Sequence, residues 1–272
     1  MELATTALSR PRDAYYWRLL ATAASFCLFG IGGLCLRLLV FPLLACLPGG
    51  VDKRRLRARR TIGWLFWRLV RFMRASGVLT YQIDGAERLG RPGQMIIANH
   101  PSLIDVVFLI GLVRQANCVV KQSLFDNAFT RGPVSEAQYI GNDGSLDMLD
   151  AAVESLRHGQ PLVIFPEGTR TEPGQAPTFH RGAAAIALRG ASVITPVTLR
   201  VTPTTLTRNE PWYRIPRRRV HFTLRVGADI DPQRFAALGP APKASRLLNE
   251  HLHTYFTKEL AADERATTRS EP

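Results

Sequence analysis

Asn99-His100-Pro101-Ser102-Leu103-Ile104-Asp105, directly after the apolar run Met95-Ile96-Ile97-Ala98, decides how the chain is read. The apolar run has the length of a buried strand. Residues 103–114 carry helical spacing, with Ser102 placed to cap them. The seven residues therefore occupy a strand-to-helix junction, with a histidine in the turn and a carboxylate in the first turn of the helix. Brought together, Asp105 would fix the tautomer of His100 and stabilise the imidazolium formed when the other ring nitrogen takes a proton. Such a pair is a general base for a hydroxyl.

The same alternation continues outward. Short apolar runs read as strands at 81–83, 95–98, 118–121, 137–140, 162–165, 194–198 and 220–226. Helices are expected at 103–114, 146–157, 182–189 and 245–260. This is an α/β pattern with a mixed, largely parallel sheet flanked by helices. Ligands of such sheets lie at strand ends, and His100, Lys121 and Glu167 all fall just past one.

Four blocks in order carry a family resemblance. His100 and Asp105 are followed by Val119-Val120-Lys121-Gln122-Ser123-Leu124, then Phe165-Pro166-Glu167-Gly168-Thr169-Arg170, then Val193-Ile194-Thr195-Pro196-Val197. Phe179-His180-Arg181-Gly182-Ala183 lies before the last of them. Together, over roughly residues 79–227, they resemble the lysophospholipid and glycerolipid acyltransferase family, which includes the 1-acylglycerol-3-phosphate acyltransferases. The resemblance implies transfer of a fatty acyl group from acyl-CoA or acyl carrier protein to a hydroxyl of a lysophospholipid such as 1-acylglycerol 3-phosphate. His100 and Asp105 would be catalytic, with Lys121 helping to hold the oxyanion. Asn99, Glu167, Gly168, Thr169, Arg170 and Arg181 would bind the acceptor, Glu167 and Gly168 at its glycerol and Arg170 at its phosphate. No metal and no cofactor is implied beyond the acyl donor as cosubstrate. No Gly-x-Ser-x-Gly elbow occurs, so direct attack on the thioester is expected rather than an acyl-enzyme.

One stretch departs from the family pattern. Tyr139-Ile140-Gly141-Asn142-Asp143 stands where the family usually carries an Ile-Asp-Arg-like end, so an arginine for acceptor phosphate is missing. A neutral Asn142 and an acidic Asp143 suit a less anionic head. That keeps open an acyltransferase for another lipid, aminolipid or aryl-polyene-linked. A non-catalytic membrane lipid-binding or scaffold protein is the alternative of another class, against which the intact His100 and Asp105 weigh.

Bulk properties bound the setting. The net charge is +13, from 31 Arg and 4 Lys against 22 acidic residues, which suits an anionic partner. No zinc-finger spacing, RNP-like strand or basic recognition helix occurs, so nucleic acid is not the expected partner. Residues 19–36 carry no charge, and a second apolar run follows through Leu47. This is long enough for one tilted span, or for a shallow hairpin bent at Pro42. Six cations between 53 and 60 follow at once, which argues against a cleaved leader and puts the next domain on the cytoplasmic side of the inner membrane. Residues 61–77 place Trp64, Trp67 and interleaved arginines on a helix, either interfacial or packed on the core. The expected organisation is a tail (1–18), a membrane anchor with interfacial helix (19–77), a catalytic domain (78–260) and a disordered tail (261–272). Cys27, Cys35, Cys46 and Cys118 lack metal-ligand spacing and read as buried free thiols. Residues 212–219, Trp-Tyr-Arg-Ile-Pro-Arg-Arg-Arg, form an aromatic-basic loop suited to a membrane or to acyl carrier protein.

Overall fold

Runs of β-branched and apolar residues make the strands, and their fully buried character makes the sheet parallel at its centre. The computed structural model describes residues 14–268 apart from 173, 174 and 176. Its strands are β1 (Leu79–Asp84), β2 (Gln94–Ala98), β3 (Asn117–Lys121), β4 (Ile140–Asn142), β5 (Leu162–Ile164), β6 (Val193–Thr202) and β7 (Val220–Val226). Its helices are α1 (Tyr15–Cys35), α2 (Phe41–Ala45), α3 (Val51–Ala75), α4 (Asp105–Leu112), α5 (Arg131–Glu136), α6 (Leu146–Arg157), α7 (Gly182–Gly190), α8 (Pro232–Ala236) and α9 (Ala241–Thr268). The strands form one sheet in the order β1-β7-β6-β2-β5-β3-β4. Only the β6–β7 pair is antiparallel.

All five residues of β2 are buried. Ile96 and Ala98 face a core shared with α3 and α4, while Met95 and Ile97 face a second core built with α6, α7 and α9. The register pairs Ile97 with Ile164, Cys118 with Val163 and Lys121 with Asn142. The C-terminal ends of β2, β5, β3 and β4 therefore share one edge, and the predicted site residues lie along it.

Several boundaries differ from the sequence reading. The helix after the catalytic turn begins at Asp105, and Ser102 does not cap it: no side chain does, and the Ser102 hydroxyl is buried without a partner. Residues 131–136 form α5, which moves β4 three residues on from its expected start at 137. Helix α9 runs to Thr268, so residues 261–268 are helical rather than disordered. Residues 269–272, and residues 1–13 of the expected N-terminal tail, lie outside the described part.

The N-terminal segment is also recast. Helix α1 passes through a π-helical stretch, Leu36–Val40, into α2 without turning back at Pro42. Residues 15–45 are thus one rod of 31 residues that contains an 18-residue window of mean hydropathy 2.1. At 1.5 Å per residue it is about 46 Å long, against about 30 Å of bilayer hydrocarbon. By length and composition it is able to cross a membrane. Cys27, Cys35 and Cys46 are exposed on or just past this rod, and of the four thiols only Cys118 is buried. The segment's apolar character reflects outward-facing positions, not core packing.

The cation cluster is largely occupied within the protein. Arg54 pairs with Glu136, Arg55 with Asp52, and Arg57 donates to the carbonyls of Leu47 and Pro48. Arg59 is 2% exposed and donates to the Ala137 carbonyl at 2.8 Å. Helix α3 packs on the core through Ile62, Val70 and Met73 while Trp64 and Phe72 face outward. It is a core helix with one free apolar edge. Close approach to α4 depends on Gly63, where an added Cβ would lie 2.7 Å from Arg114 Cα and 2.8 Å from the Ile110 carbonyl.

Gly63→Leu should therefore separate α3 from α4. Overpacking of this kind costs typically ~1–3 kcal/mol. At roughly 2–4 °C per kcal/mol for a domain of this size, Tm in detergent should fall by several degrees. An unchanged Tm would show that the two helices have room that the backbone contacts deny.

Candidate active site

Glu167, Thr171, Asp105 and Phe165 hold His100 from four directions. Its backbone N–H donates to Glu167 Oε1 at 3.0 Å, and its carbonyl accepts from the Thr171 N–H at 3.1 Å. Its ring Nδ1 lies 2.9 Å from Asp105 Oδ2. The ring face stacks on Phe165 with centroids 4.3 Å apart and planes at 29°. The imidazole keeps 15% exposure, whereas the Asp105 side chain has none.

The tautomer follows from the partners. Asp105 Oδ2 also accepts the Ser102 N–H at 2.7 Å, so it acts as an acceptor toward both groups. Nδ1 then carries the proton, and Nε2 is left with its lone pair. Burial pushes the Asp105 carboxyl up, opposed by the His100 hydrogen bond and charge, the Ser102 N–H and Arg170. Burial also pushes Glu167 up to about 7, with the His100 N–H pulling down and Asp105 pushing up. Both Glu167 oxygens are engaged, Oε1 by the His100 N–H and Oε2 by the Thr171 hydroxyl.

The other predicted residues divide into two groups. Asn99 is 5% exposed and spends its amide on β6, donating to the Leu199 carbonyl at 2.8 Å and accepting the Leu199 N–H at 2.7 Å. Arg170 Nη1 donates to the carbonyls of Leu206 and Thr207 at 2.7 and 2.9 Å. These two, with Glu167, brace the rim. Gly168 and Thr169 are exposed beside it. Gly168 has φ +66, and a Cβ there would meet the His180 ring at 3.4 Å and the Asn142 amide at 3.8 Å. Glycine thus keeps a narrow gap between His180 and Asn142 open.

Lys121 is exposed at the end of β3, with no hydrogen bond or ion pair among the described residues. With strands about 4.8 Å apart, β2 and β3 lie about 10 Å apart across β5. The structure does not join Lys121 to His100 directly. Arg181 is exposed at the N-terminus of α7. Asp143 accepts the Ser145 N–H at 2.9 Å, and its hydrogen bonds to Ser145 lower its carboxyl pKa. It folds the turn into α6, which Ser145 caps. Sequence reasoning missed the supporting roles of Phe165, Leu199 and Leu206. Phe165 stood in a recognised motif, but nothing in its sequence shows which face its ring covers. Leu199 and Leu206 act through backbone groups, which carry no sequence signal.

Known proteins resemble this arrangement. Residues 80–200 match the family model described as Acyltransferase. The 1-acyl-sn-glycerol-3-phosphate acyltransferase of Pseudomonas aeruginosa is 26% identical over 189 residues, 67% of this chain and 70% of that protein. A chloroplast 1-acyl-sn-glycerol-3-phosphate acyltransferase of Arabidopsis thaliana is 27% identical over 124 residues, 43% of this chain. The matched part spans 35% of that plant protein. The crystal structure of the 1-acyl-sn-glycerophosphate acyltransferase of Thermotoga maritima superposes with a TM-score of 0.67 at 17% identity, covering 90% of this chain and 96% of that one. The resemblance carried by the sequence motifs is borne out over residues 80–200, which are similar to acyltransferase domains. The fold is the mixed, mostly parallel sheet expected.

The raised Glu167 carboxyl generates a pH prediction. Below about 4.5 the group is protonated folded or unfolded, and its burial carries no ionisation penalty. As pH rises to about 7 the unfolded chain ionises first, so stability is lost across that window. Glu167→Gln keeps an acceptor for the His100 N–H and removes this loss. The difference in Tm between variant and parent should move in the variant's favour from about pH 4.5 to about pH 7. A pH-independent difference would mean that Glu167 ionises normally in the folded protein.

Proposed function

We propose that the chain transfers a fatty acyl group from a thioester, acyl-CoA or acyl carrier protein, to a hydroxyl of a membrane lysophospholipid such as 1-acylglycerol 3-phosphate. The observation that carries the reading is the 2.9 Å contact between His100 Nδ1 and a carboxylate with no exposure. It leaves Nε2 as the acceptor for the proton of an attacking alcohol. As the hydroxyl oxygen bonds to the thioester carbonyl carbon, its proton passes to Nε2, and Asp105 stabilises the imidazolium. The tetrahedral intermediate collapses by breaking the carbon–sulfur bond, and the departing thiolate takes the proton back from His100. Lys121 and backbone N–H groups at the rim are the proposed oxyanion donors. The acceptor is assigned to the exposed Gly168 and Thr169, flanked by Asn142 and Arg181. No metal or cofactor enters these steps.

The setting proposed for this chemistry is the inner membrane, with the domain facing the cytoplasm and residues 15–45 as the anchor. An acceptor other than 1-acylglycerol 3-phosphate, an aminolipid or an aryl-polyene-linked head, stays the second reading. Asn142 supports it, standing beside Gly168 where an arginine would favour a dianion.

His100→Ala should abolish turnover in a folded protein, since base catalysis is typically worth ~10²–10⁴ in rate. Asp105→Asn should come close to it through the wrong tautomer. Turnover near the parent's by folded His100→Ala protein would end the mechanism. Arg170→Ala should lower kcat, because its guanidinium braces the catalytic turn's neighbour through two carbonyls. A change confined to the acceptor's KM would instead assign Arg170 to the phosphate.

A further inference from the structure

The connection from β6 to β7, residues 203–219, is fastened at both ends to elements outside the sheet. At its start the Leu206 carbonyl accepts from the Leu103 N–H at 3.1 Å and from Arg170 at 2.7 Å, so it is tied to the catalytic turn. At its end the carbonyls of Arg217 and Arg218 accept from Arg18 of α1 at 2.7 and 3.2 Å. Arg18 is 2% exposed, a cation buried in an otherwise apolar helix to hold this loop. Trp212 packs on Phe26 of α1 at 5.7 Å and meets Tyr213 edge-on at 5.8 Å.

Despite these ties the aromatic pair faces outward, Trp212 at 41% and Tyr213 at 59% exposure. The start of α1, which Arg18 fixes against the loop, exposes Tyr16 at 84%, Trp17 at 58% and Leu20 at 62%. Residues 208–219 hold five arginines and one glutamate, and all five arginines are exposed. The surface is therefore an apolar and aromatic face bordered by cations.

We propose that residues 207–219 form a second membrane-contact element, distinct from the rod of residues 15–45, whose partner is an anionic bilayer. Trp212 and Tyr213 enter the headgroup layer, where amphipathic rings are favoured, and the arginines meet lipid phosphates. Through Leu206 this docking holds the catalytic rim at the surface from which a lysolipid arrives. The inference rests on the membrane acyltransferase reading above. An acidic carrier protein would also suit the arginines, but it has no need of aromatic residues continuous with the apolar face of α1.

The test uses the full chain in detergent, in phosphatidylcholine nanodiscs and in nanodiscs containing phosphatidylglycerol. Tryptic cleavage after Arg214, Arg217, Arg218 and Arg219 is followed by mass spectrometry. Cleavage should be roughly tenfold slower in anionic discs than in detergent, with phosphatidylcholine between. Trp212→Ser with Tyr213→Ser should restore fast cleavage while the N-terminal rod keeps the chain in the disc. Tyr213→Ser alone, which loses one edge-on contact, serves if the double variant misfolds. The double variant should also lose activity on acceptor embedded in vesicles, yet retain it on a short-chain, water-soluble acceptor. Equal cleavage in detergent and anionic discs would overturn the proposal. So would protection by acyl carrier protein alone, with none from lipid. Lipid protection without turnover on either acceptor would support the docking and remove the acyltransferase reading.

Discussion

A single carboxylate taken fully out of water organises the catalytic rim. Burying an ionised carboxylate is costly unless charges and hydrogen bonds replace its hydration. Asp105 meets part of this demand with the Ser102 N–H and the His100 imidazole, both on Oδ2, and with the positive end of α4, whose first residue it is, while its Oδ1 is buried without a hydrogen-bond partner among the described residues. The two donors close residues 100–105 into a compact turn. That closure, rather than a capping hydroxyl, sets where α4 begins. Ser102 takes part through its backbone N–H, while its hydroxyl bonds to nothing described.

A turn closed in this way still has to be aimed. The aim comes from neighbouring parallel strands that end at one level, so that Phe165 and Glu167 leave β5 alongside His100 leaving β2. Glu167 then reads differently from a ligand for the acceptor. Its two oxygens clamp His100 and Thr171, and its burial favours the neutral form near pH 7. The Glu-Gly-Thr-Arg segment splits into braces at its two ends and exposed residues in its middle. Alternation of that kind lets four consecutive residues position a base and still leave an open edge for a second substrate.

The sequence made the strands and this rim legible because parallel strands buried on both faces are continuous apolar runs, and β2, β5 and the middle of β3 are of that kind. Blocks spaced along the chain converge when such strands align. What escaped it came from tertiary context. Residues 137–140 look like a strand, but the preceding turn winds into α5 and holds Tyr139 back through a bond to the Val134 carbonyl. Three cysteines in an apolar stretch look buried, although on the rod of residues 15–45 most apolar positions face outward. The hydrogen bonds that Asn99 and Arg170 make within the fold were hidden from the sequence for a common reason. Their partners are backbone carbonyls and amides of distant loops, and composition carries no trace of these.

The same distinction bears on how the proposed membrane contact would be held. From sequence, six cations between 53 and 60 suggest an electrostatic attachment. In the fold Arg54 and Arg55 are paired with carboxylates, Arg57 with carbonyls, and Arg59 is buried. Only Lys53 and Arg60 of the six lack such bonds among the described residues, so at ~1 kcal/mol per cation the cluster supplies about 2 kcal/mol. Against this stand exposed large apolar side chains at 20, 28, 29, 31, 34, 38, 39, 43 and 47. A fully transferred side chain of this type is worth ~1.5–3 kcal/mol, so even half of them outweighs the cluster several-fold. Attachment by residues 15–47, as proposed, would thus be an apolar effect that salt leaves in place. The exposed arginines of the β6–β7 loop are cations placed to sense the charge of such a surface, and the loop is joined at Leu206 to the catalytic turn and to Arg170.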